Sequence, residues 1–529
     1  MADTRHKQIL PETNRAEIVV FSRFALIGFI LAAGLFVAAR LWHLAAACLW
    51  FDELFSVHAA RHEWRDLLSF VAADIVHPPL FYLLLKVWIT IGGESLLWLR
   101  LFPAVAAIAT LIPFFFLCRE LKLRPAEINL AIVLMGVSGH LIKYAQELRM
   151  YSLLLLLTLC SLLLFVRFLN SKSKKRVALL FAVNLLLVYT HYFGWMVIGV
   201  EWLALLVWER RKLLLFSAAS AGLALFFAPW AYAVVQAGGA KTEKVAQNIG
   251  WASRPGLYEL AEYYASVSGL LDPHRSATWL GGFGALVFGC SVALWLRYFF
   301  KSNQYEDRHR VRTVKLLLLF SFAPIVFAFS LSYILPQSIW GTRHLIIAVV
   351  PYLLLVSVAL HRLPLYQVRI TALILVGCWS LFAAFLLLVR TDGDYVWCAW
   401  EVLTRRMIQA TPKDSGSVNV YAFEDLVAYH VWFSLDSAHE KRFHVSVVKG
   451  VPGQLEDAAY FLPRRFDEVA VRDATALSED KYWVAFREAS TNQDSSILEM
   501  LSSNGYQVGE GFSVNAYGNK AFLVPVRRR

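Results

Sequence analysis

Long apolar runs alternate with short polar, mostly basic, segments over the first 390 residues of the chain. A run of about 20 apolar residues is long enough to cross the hydrocarbon core of a bilayer as a helix. The chain is therefore predicted to be a polytopic α-helical membrane protein. The pattern predicts eleven transmembrane helices, at 18–41, 96–118, 127–144, 151–169, 177–191, 193–208, 213–235, 278–300, 315–335, 343–360 and 368–390.

A shorter apolar stretch, 79–91, begins with a Pro-Pro pair and decides the topology. If it lies in the interface instead of crossing, the basic clusters between the apolar runs all fall on one side, together with the N-terminus. Cytoplasmic loops carry an excess of Lys and Arg, and ~13 residues are few for a span. We therefore expect a cytoplasmic N-terminus, a transmembrane domain at 1–390, and a first outer loop at 42–95 with interfacial helices.

Residues 391–529 have a different pattern, with more polar residues and short stretches in which apolar and polar residues alternate. Alternation with a period of two is typical of half-buried strands. The sequence predicts a small soluble α/β domain on the outer face of the membrane. Its expected strands include 418–421, 483–486 and 521–526, and its expected helices include 397–410 and 497–504.

The composition agrees with a membrane protein, since 58% of the residues are hydrophobic and 17% are charged. The net charge of +12 does not point to nucleic acid, because the basic residues lie mainly in the predicted cytoplasmic loops. The six cysteines show no CxxC or metal-ligand spacing. Cys48 and Cys398 both fall on the outer side and could pair, whereas the others lie mostly inside apolar runs.

Polar residues within or beside the apolar segments cluster on the predicted outer side. Two carboxylates directly after the first helix, Asp52 and Glu53, are costly at a membrane surface unless they face water or a partner, which marks a functional site. The same side carries His77, then Lys143, Gln146, Glu147, Arg149 and Tyr151 at the second outer hairpin, His191 and Tyr192 at the third, Asp272 and His274 in the fourth loop, and Arg343 and His344 at the tenth helix.

Carboxylates and cations on one membrane face suit the transfer of a group from a lipid phosphate to a hydroxyl. Arg or Lys would stabilise the negative charge on a departing phosphate, and a partly desolvated carboxylate would accept the proton of the hydroxyl. Taken singly, each residue has a simpler interpretation. Asp52 and Glu53 could cap a helix, Glu147 and Arg149 could form a structural ion pair, and Arg343 could reach lipid head groups. Their co-location favours the functional interpretation.

Four segments in this order resemble the GT-C-fold integral membrane glycosyltransferases. They are Asp52-Glu53, the His77-Pro78-Pro79-Leu80-Phe81-Tyr82 segment, Leu97–Phe102 and Gln146–Tyr151. The resemblance covers about residues 15–390 and is to the branch of protein O-mannosyltransferases and bacterial lipid A aminoarabinose transferases. It implies a GT-C fold and the transfer of a monosaccharide from a polyprenyl-phosphate donor, with inversion, to an envelope lipid, glycan or protein.

The resemblance also implies roles for individual residues. Asp52 would be the catalytic base and Glu53 an acidic neighbour that positions the acceptor or the base. His77, Arg149, Arg343 and His344 are expected at the donor phosphate. Glu147, Gln146, Tyr151, His191 and Tyr192 are expected to contact the acceptor or the sugar.

Two departures from these families limit what is implied. Aminoarabinose transferases typically carry Lys where His77 stands, so we do not expect an identical substrate. The outer loop 236–277 is too short for the β-trefoil of eukaryotic-type protein mannosyltransferases.

The expected location is the bacterial inner membrane, in contact with membrane lipids, with the site and the C-terminal domain facing the periplasm or outside. Oxygen ligands suit Mg²⁺ or Mn²⁺, so Asp52 and Glu53 admit such an ion, although a carboxylate base requires none and we expect no obligatory metal. Two alternative functions are a transporter or flippase of lipid-linked sugars and a glycan ligase or polymerase.

Overall fold

The computed structural model describes residues 22–170, 173–239, 252–269, 278–302, 308–389, 396–449, 466, 468–473, 479–489, 496–516 and 519–529. Up to residue 389 the described chain is almost entirely helical. Its helices are α1 (Arg23–Leu41), α2 (Phe51–Arg61), α3 (Trp64–Asp74), α4 (Leu80–Gly92), α5 (Leu96–Ala109), α6 (Leu111–Glu120), α7 (Pro125–Val137), α8 (Gly139–Gln146), α9 (Tyr151–Asn170), α10 (Lys174–Thr190), α11 (Gly194–Trp208), α12 (Arg210–Val234), α13 (Leu257–Ser268), α14 (Thr278–Ser302), α15 (Arg308–Ile334), α16 (Ile346–Arg362) and α17 (Tyr366–Val389).

Within the described residues, seven helical segments are long and apolar enough to cross a membrane. One of them combines α5 and α6, and an eighth is added if α7 and α8, which meet at 60°, form one broken span. The helices α4, α11 and α16 are apolar but shorter. The chain is thus a polytopic membrane protein, while the count of eleven spans stays a prediction.

The centre of the helical domain is α16, in which every side chain from Ile346 to Leu360 is buried. It packs against α7, α9, α14 and α15. A helix that is apolar on all sides is expected at such a central position, because no face of it meets water.

The first outer loop folds into α2, α3 and α4, and α2 packs on α4. Pro79 precedes the first residue of α4, where a missing backbone N–H costs nothing because the first turn has no internal acceptor. The helix ends at Gly92, and the next residue, Gly93, has a φ of +79° that favours glycine. Pro79 and Gly93 thus set the two ends of α4, on which α2 packs.

The C-terminal part is a sheet flanked by helices, as the sequence pattern predicts. The elements are α18 (Val396–Ala410), β1 (Val418–Ala422), α19 (Asp425–Ser437), β2 (Phe443–Lys449), β3 (Ala470–Asp473), β4 (Lys481–Ala489), α20 (Ser496–Ser503), β5 (Tyr506–Val508), β6 (Phe512–Ala516) and β7 (Asn519–Arg528). Three parallel pairings join β1 to β2, β1 to β4 and β2 to β3, and β7 pairs antiparallel with β4, β5 and β6. The order in the sheet is β3-β2-β1-β4-β7-β5, with β6 on β7.

Helix α2 is tied directly to this C-terminal domain. A disulfide joins Cys48, just before α2, to Cys398 in α18. The ring Nδ1 of His58 lies 2.9 Å from the Tyr429 hydroxyl of α19. The pairing of Cys48 with Cys398 that the sequence allowed is therefore present, and α2 is held from both domains.

Candidate functional site

Glu53 is a buried structural carboxylate in the first turn of α2. Its Oε2 accepts the backbone N–H of Trp50 at 3.1 Å, and its Oε1 accepts that of Leu148 at 2.7 Å. The guanidinium of Arg100 on α5 adds a 3.0 Å ion pair. Glu53 thus fastens the start of α2 to α5 and to the segment after α8, and its predicted direct role in catalysis stays a prediction.

Asp52, its neighbour in sequence, points elsewhere and is paired with two arginines. Its Oδ2 accepts a hydrogen bond from Arg343 Nη1 at 3.1 Å, and Arg149 Nε lies 3.9 Å from the same oxygen. The Asp52 side chain retains 15% exposure, whereas that of Arg149 retains 3%. The Asp52 carboxylate therefore lies against two cations, and its role as the base stays a prediction.

Arg149 is fixed by four further groups. Its Nη1 donates to the Asp52 carbonyl at 3.0 Å, to the Ser56 hydroxyl at 3.2 Å and to the Tyr82 hydroxyl at 3.3 Å. Its Nη2 lies 3.3 Å from His77 Nδ1. A guanidinium only donates hydrogen bonds, and here both of its terminal nitrogens are held by these contacts. They orient the guanidinium so that its Nε faces the Asp52 carboxylate.

Three imidazoles, those of His77, His191 and His344, come together beside Arg149. One nitrogen of each lies within 4.8 Å of the other two. His77 precedes the Pro-Pro turn, His191 ends α10, and His344 precedes α16. Gly194 allows the tight turn after His191, since a Cβ there would lie 2.8 Å from the Leu187 carbonyl oxygen. Nδ1 of His191 accepts the backbone N–H of Phe193 at 3.1 Å, so this nitrogen carries no proton and the ring is neutral.

Glu147 and Tyr151 carry buried oxygens without partners in the described part of the chain. Oε1 of Glu147 and the hydroxyl of Tyr151 accept and donate no hydrogen bond there. Burial raises the pKa of Glu147 to about 7, with Lys143 acting in the opposite direction. The ring of Tyr151 lies 6.3 Å from those of both His191 and His344, so Tyr151 borders the imidazoles.

Gln146 and Tyr192 make contacts outside this cluster. The Gln146 amide donates to the Trp42 carbonyl at 2.7 Å, at the end of α1. The Tyr192 hydroxyl donates to the Ile75 carbonyl at 3.3 Å. Their predicted contact with sugar or acceptor stays a prediction. Asp272 and His274 lie outside the described residues.

Sequence reasoning missed Arg100, Ser56 and Tyr82 as parts of the site. Arg100 interrupts an apolar helix, and a buried cation in such a helix signals a partner. Ser56 and Tyr82 gave no comparable signal, because hydroxyls are common in both surface and core positions.

Asp52 and Glu53 do not form an oxygen-ligand set for Mg²⁺ or Mn²⁺. Both Glu53 oxygens already accept hydrogen bonds from protein donors. Asp52 shares its Oδ2 with Arg343 and faces Arg149, and two arginines oppose a nearby divalent cation. The residues do not fit such an ion, and no step is assigned to one.

No protein-family model matches the chain, and no curated protein sequence matches it either. Among solved structures, the apo form of ArnT from Cupriavidus metallidurans is similar with a TM-score of 0.58, at 12% identity, over 94% of this chain and 97% of that one. The same protein bound to undecaprenyl phosphate gives a TM-score of 0.55 at 12% identity, over 94% and 98%. The arabinofuranosyltransferase AftD from Mycobacteria gives 0.47 at 11% identity, over 96% and 42%. The fold expected from the sequence motifs is therefore confirmed: the chain has the GT-C fold of ArnT, with a C-terminal sheet domain.

Proposed function

We propose that the protein is a membrane glycosyltransferase that moves a monosaccharide from a polyprenyl-phosphate donor to a hydroxyl of an envelope lipid, glycan or protein. One observation carries the proposal. Asp52, a reachable carboxylate, faces the same space as Arg343 and Arg149 at the ends of the membrane helices. The ArnT neighbour with the same fold has been solved with undecaprenyl phosphate, which supports a donor of this class.

The charges divide the reaction between them. The acceptor oxygen forms a bond to the anomeric carbon while the bond from that carbon to the phosphate oxygen breaks. Asp52 takes the proton of the acceptor hydroxyl. Arg149 and Arg343 neutralise the negative charge that the departing polyprenyl phosphate gains. A single displacement of this kind inverts the anomeric configuration.

The other polar side chains fit around this centre. His77 contacts Arg149, and His344 follows Arg343 in sequence, which supports places for both near the donor phosphate. Glu147, Tyr151 and His191 border the same space and would meet the sugar or the acceptor. Glu53 acts indirectly, by holding α2 so that Asp52 faces the arginines.

The disulfide between Cys48 and Cys398 supports an outward orientation. Disulfides persist in oxidising compartments such as the bacterial periplasm and the cell exterior. Cys48 lies four residues before Asp52, so the site and the C-terminal domain would both be on that side. This supports the proposal that the protein lies in the bacterial inner membrane with its site facing the periplasm.

A transfer assay with the purified full-length chain tests the function. Radiolabelled undecaprenyl-phosphate monosaccharides are supplied with an envelope acceptor fraction, and the Asp52→Asn variant is compared with wild type. We expect transfer by the wild type and a loss of at least about 100-fold in the variant. Consumption of no such donor by the wild type would refute the function, and undiminished transfer by the variant would remove Asp52 as the base.

A further inference from the structure

The imidazoles of His77, His191 and His344, here called the histidine cluster, present three nitrogens to one small space. Nε2 of His77, Nε2 of His191 and Nδ1 of His344 have no hydrogen-bond partner in the described part of the chain. His77 is 4% exposed and His191 is 3% exposed. A buried polar atom in a native protein normally has a hydrogen-bond partner, from the protein, water or a ligand, so three such nitrogens around one space form a candidate binding site.

The hydrogen-bond partners of His77 and His191 fix where their protons are. Nδ1 of His191 accepts the backbone N–H of Phe193 at 3.1 Å. Nδ1 of His77 faces Nη2 of Arg149 at 3.3 Å, and a guanidinium only donates. Each neutral ring therefore uses its Nδ1 lone pair and carries its proton on Nε2. These two rings offer N–H donors to the common space.

His344 is not fixed in the same way. Its Nδ1 has no hydrogen-bond partner in the described part of the chain, and a neutral imidazole carries its one proton on either ring nitrogen. The histidine cluster thus offers two donors and a third nitrogen that can donate or accept.

This pattern does not fit a metal ion. A metal needs a lone pair from every ligand, and metal-bound histidines donate their second ring N–H to a carboxylate or carbonyl. Here the second nitrogens of His77 and His191 accept hydrogen bonds instead. A bare phosphate oxygen only accepts hydrogen bonds, so it fits the cluster only when His344 also donates.

A hydroxyl group has the matching pattern, because it accepts two hydrogen bonds and donates one. Three tetrahedral hydrogen bonds of about 2.8 Å to one oxygen place the outer atoms about 4.6 Å apart. One nitrogen of each ring lies within 4.8 Å of one nitrogen of each of the other two, a separation that one bridging oxygen can span.

We propose that the histidine cluster binds one hydroxyl group of the donor sugar. The proposal rests on the proposed function, in which Arg149 and Arg343 hold the phosphate attached to that sugar. Because His77 contacts Arg149 directly, the cluster lies where a hydroxyl of a sugar on that phosphate would reach. The cluster would then select the donor by the position and orientation of this hydroxyl.

The sharpest variant is His191→Asn. The Asn side-chain oxygen can accept the N–H two residues ahead, as in an Asx-turn, so the bond to Phe193 and the turn are retained. The donor at the Nε2 position is lost. His140→Asn is a matched control, because His140 is also buried with an unpartnered Nε2 but lies outside the histidine cluster.

Binding is measured with full-length protein in nanodiscs. The probes are undecaprenyl phosphate, the undecaprenyl-phosphate monosaccharide that the wild type consumes, and analogues of that donor in which single hydroxyls are replaced by hydrogen. We expect His191→Asn to weaken the sugar-bearing donor about tenfold while changing undecaprenyl phosphate less than about twofold. The wild type should bind one deoxy analogue about tenfold more weakly than the unmodified donor, and this difference should be much smaller for His191→Asn. His140→Asn should behave as the wild type.

Other outcomes overturn the inference. Equal weakening of both lipids would assign the cluster to the phosphate. If His191→Asn weakens every deoxy analogue as much as it weakens the unmodified donor, the cluster binds no sugar hydroxyl and its nitrogens contact water or serve packing. Retention of one equivalent of Zn²⁺ by the wild type, lost in His191→Asn, would assign it to a metal. A wild type that consumes no such donor refutes the proposed function itself, which is a distinct result.

Discussion

Replacing Asp52 by asparagine should make undecaprenyl phosphate bind more tightly, although the same change abolishes transfer. The Asp52 carboxylate is paired with Arg343 at 3.1 Å and faces Arg149 at 3.9 Å. A lipid phosphate that uses these arginines must displace that carboxylate. The variant removes this competitor and keeps the size of the side chain.

The magnitude follows from the distance and the exposure. Opposite charges about 4 Å apart attract by about 4 kcal/mol at an effective dielectric constant of 20. The side chains of Asp52 and Arg343 are 15% and 18% exposed, and desolvation and water screening reduce the net value of such a pair to about 1–2 kcal/mol. The expected gain in affinity is therefore about 5- to 30-fold.

The assay is equilibrium binding of undecaprenyl phosphate to full-length protein in nanodiscs at two salt concentrations. Asp66→Asn is the matched control, because it removes the same charge from an exposed position of the same outer loop. If Asp52→Asn binds the lipid phosphate no better than Asp66→Asn does, Asp52 does not compete for the arginines. Weaker binding would mean that its role is to hold the site together.

Three further predictions concern stability and topology. Because the folded-state pKa of Glu147 is raised from 4.5 to about 7, its burial costs stability above pH 7 and nothing below about pH 4.5. Glu147→Gln should therefore stabilise the protein more at pH 8 than at pH 5, with a gain in unfolding free energy of at most about 3 kcal/mol at pH 8. The measurement is the melting temperature at both pH values, and an equal rise at both contradicts the argument. Glu53→Ala should cost about 3–5 kcal/mol of unfolding free energy by leaving Arg100 buried without its partner, and adding Arg100→Leu should recover part of it; no recovery would point to the lost backbone bonds instead. Cys48→Ser should make Cys398 react with a membrane-impermeant maleimide in intact cells, which the wild type should not do, and labelling only after lysis would reverse the proposed orientation.

The fold and the composition of the site were accessible from the sequence to different degrees. Apolar run length predicted the helices, and period-two alternation predicted strands that coincide with β1, β4 and β7. The number of membrane-spanning helices was harder to predict, because α11 and α16 are short and the α7–α8 pair is bent. Hydropathy records how apolar a segment is, but not whether tertiary packing breaks or tilts it.

The sequence alone marked the polar residues of the site, since each is costly in an apolar setting and stands out against its neighbours. The partner of each residue follows from how the helices pack in space. Asp52 and Glu53 are adjacent and chemically alike, yet successive residues on a helix point about 100° apart. One carboxylate therefore meets Arg343 while the other is buried against Arg100. The proton positions of His77 and His191 likewise depend on Arg149 and on the Phe193 backbone, because a hydrogen bond is set by distance and direction in space, which a pattern along the chain does not contain.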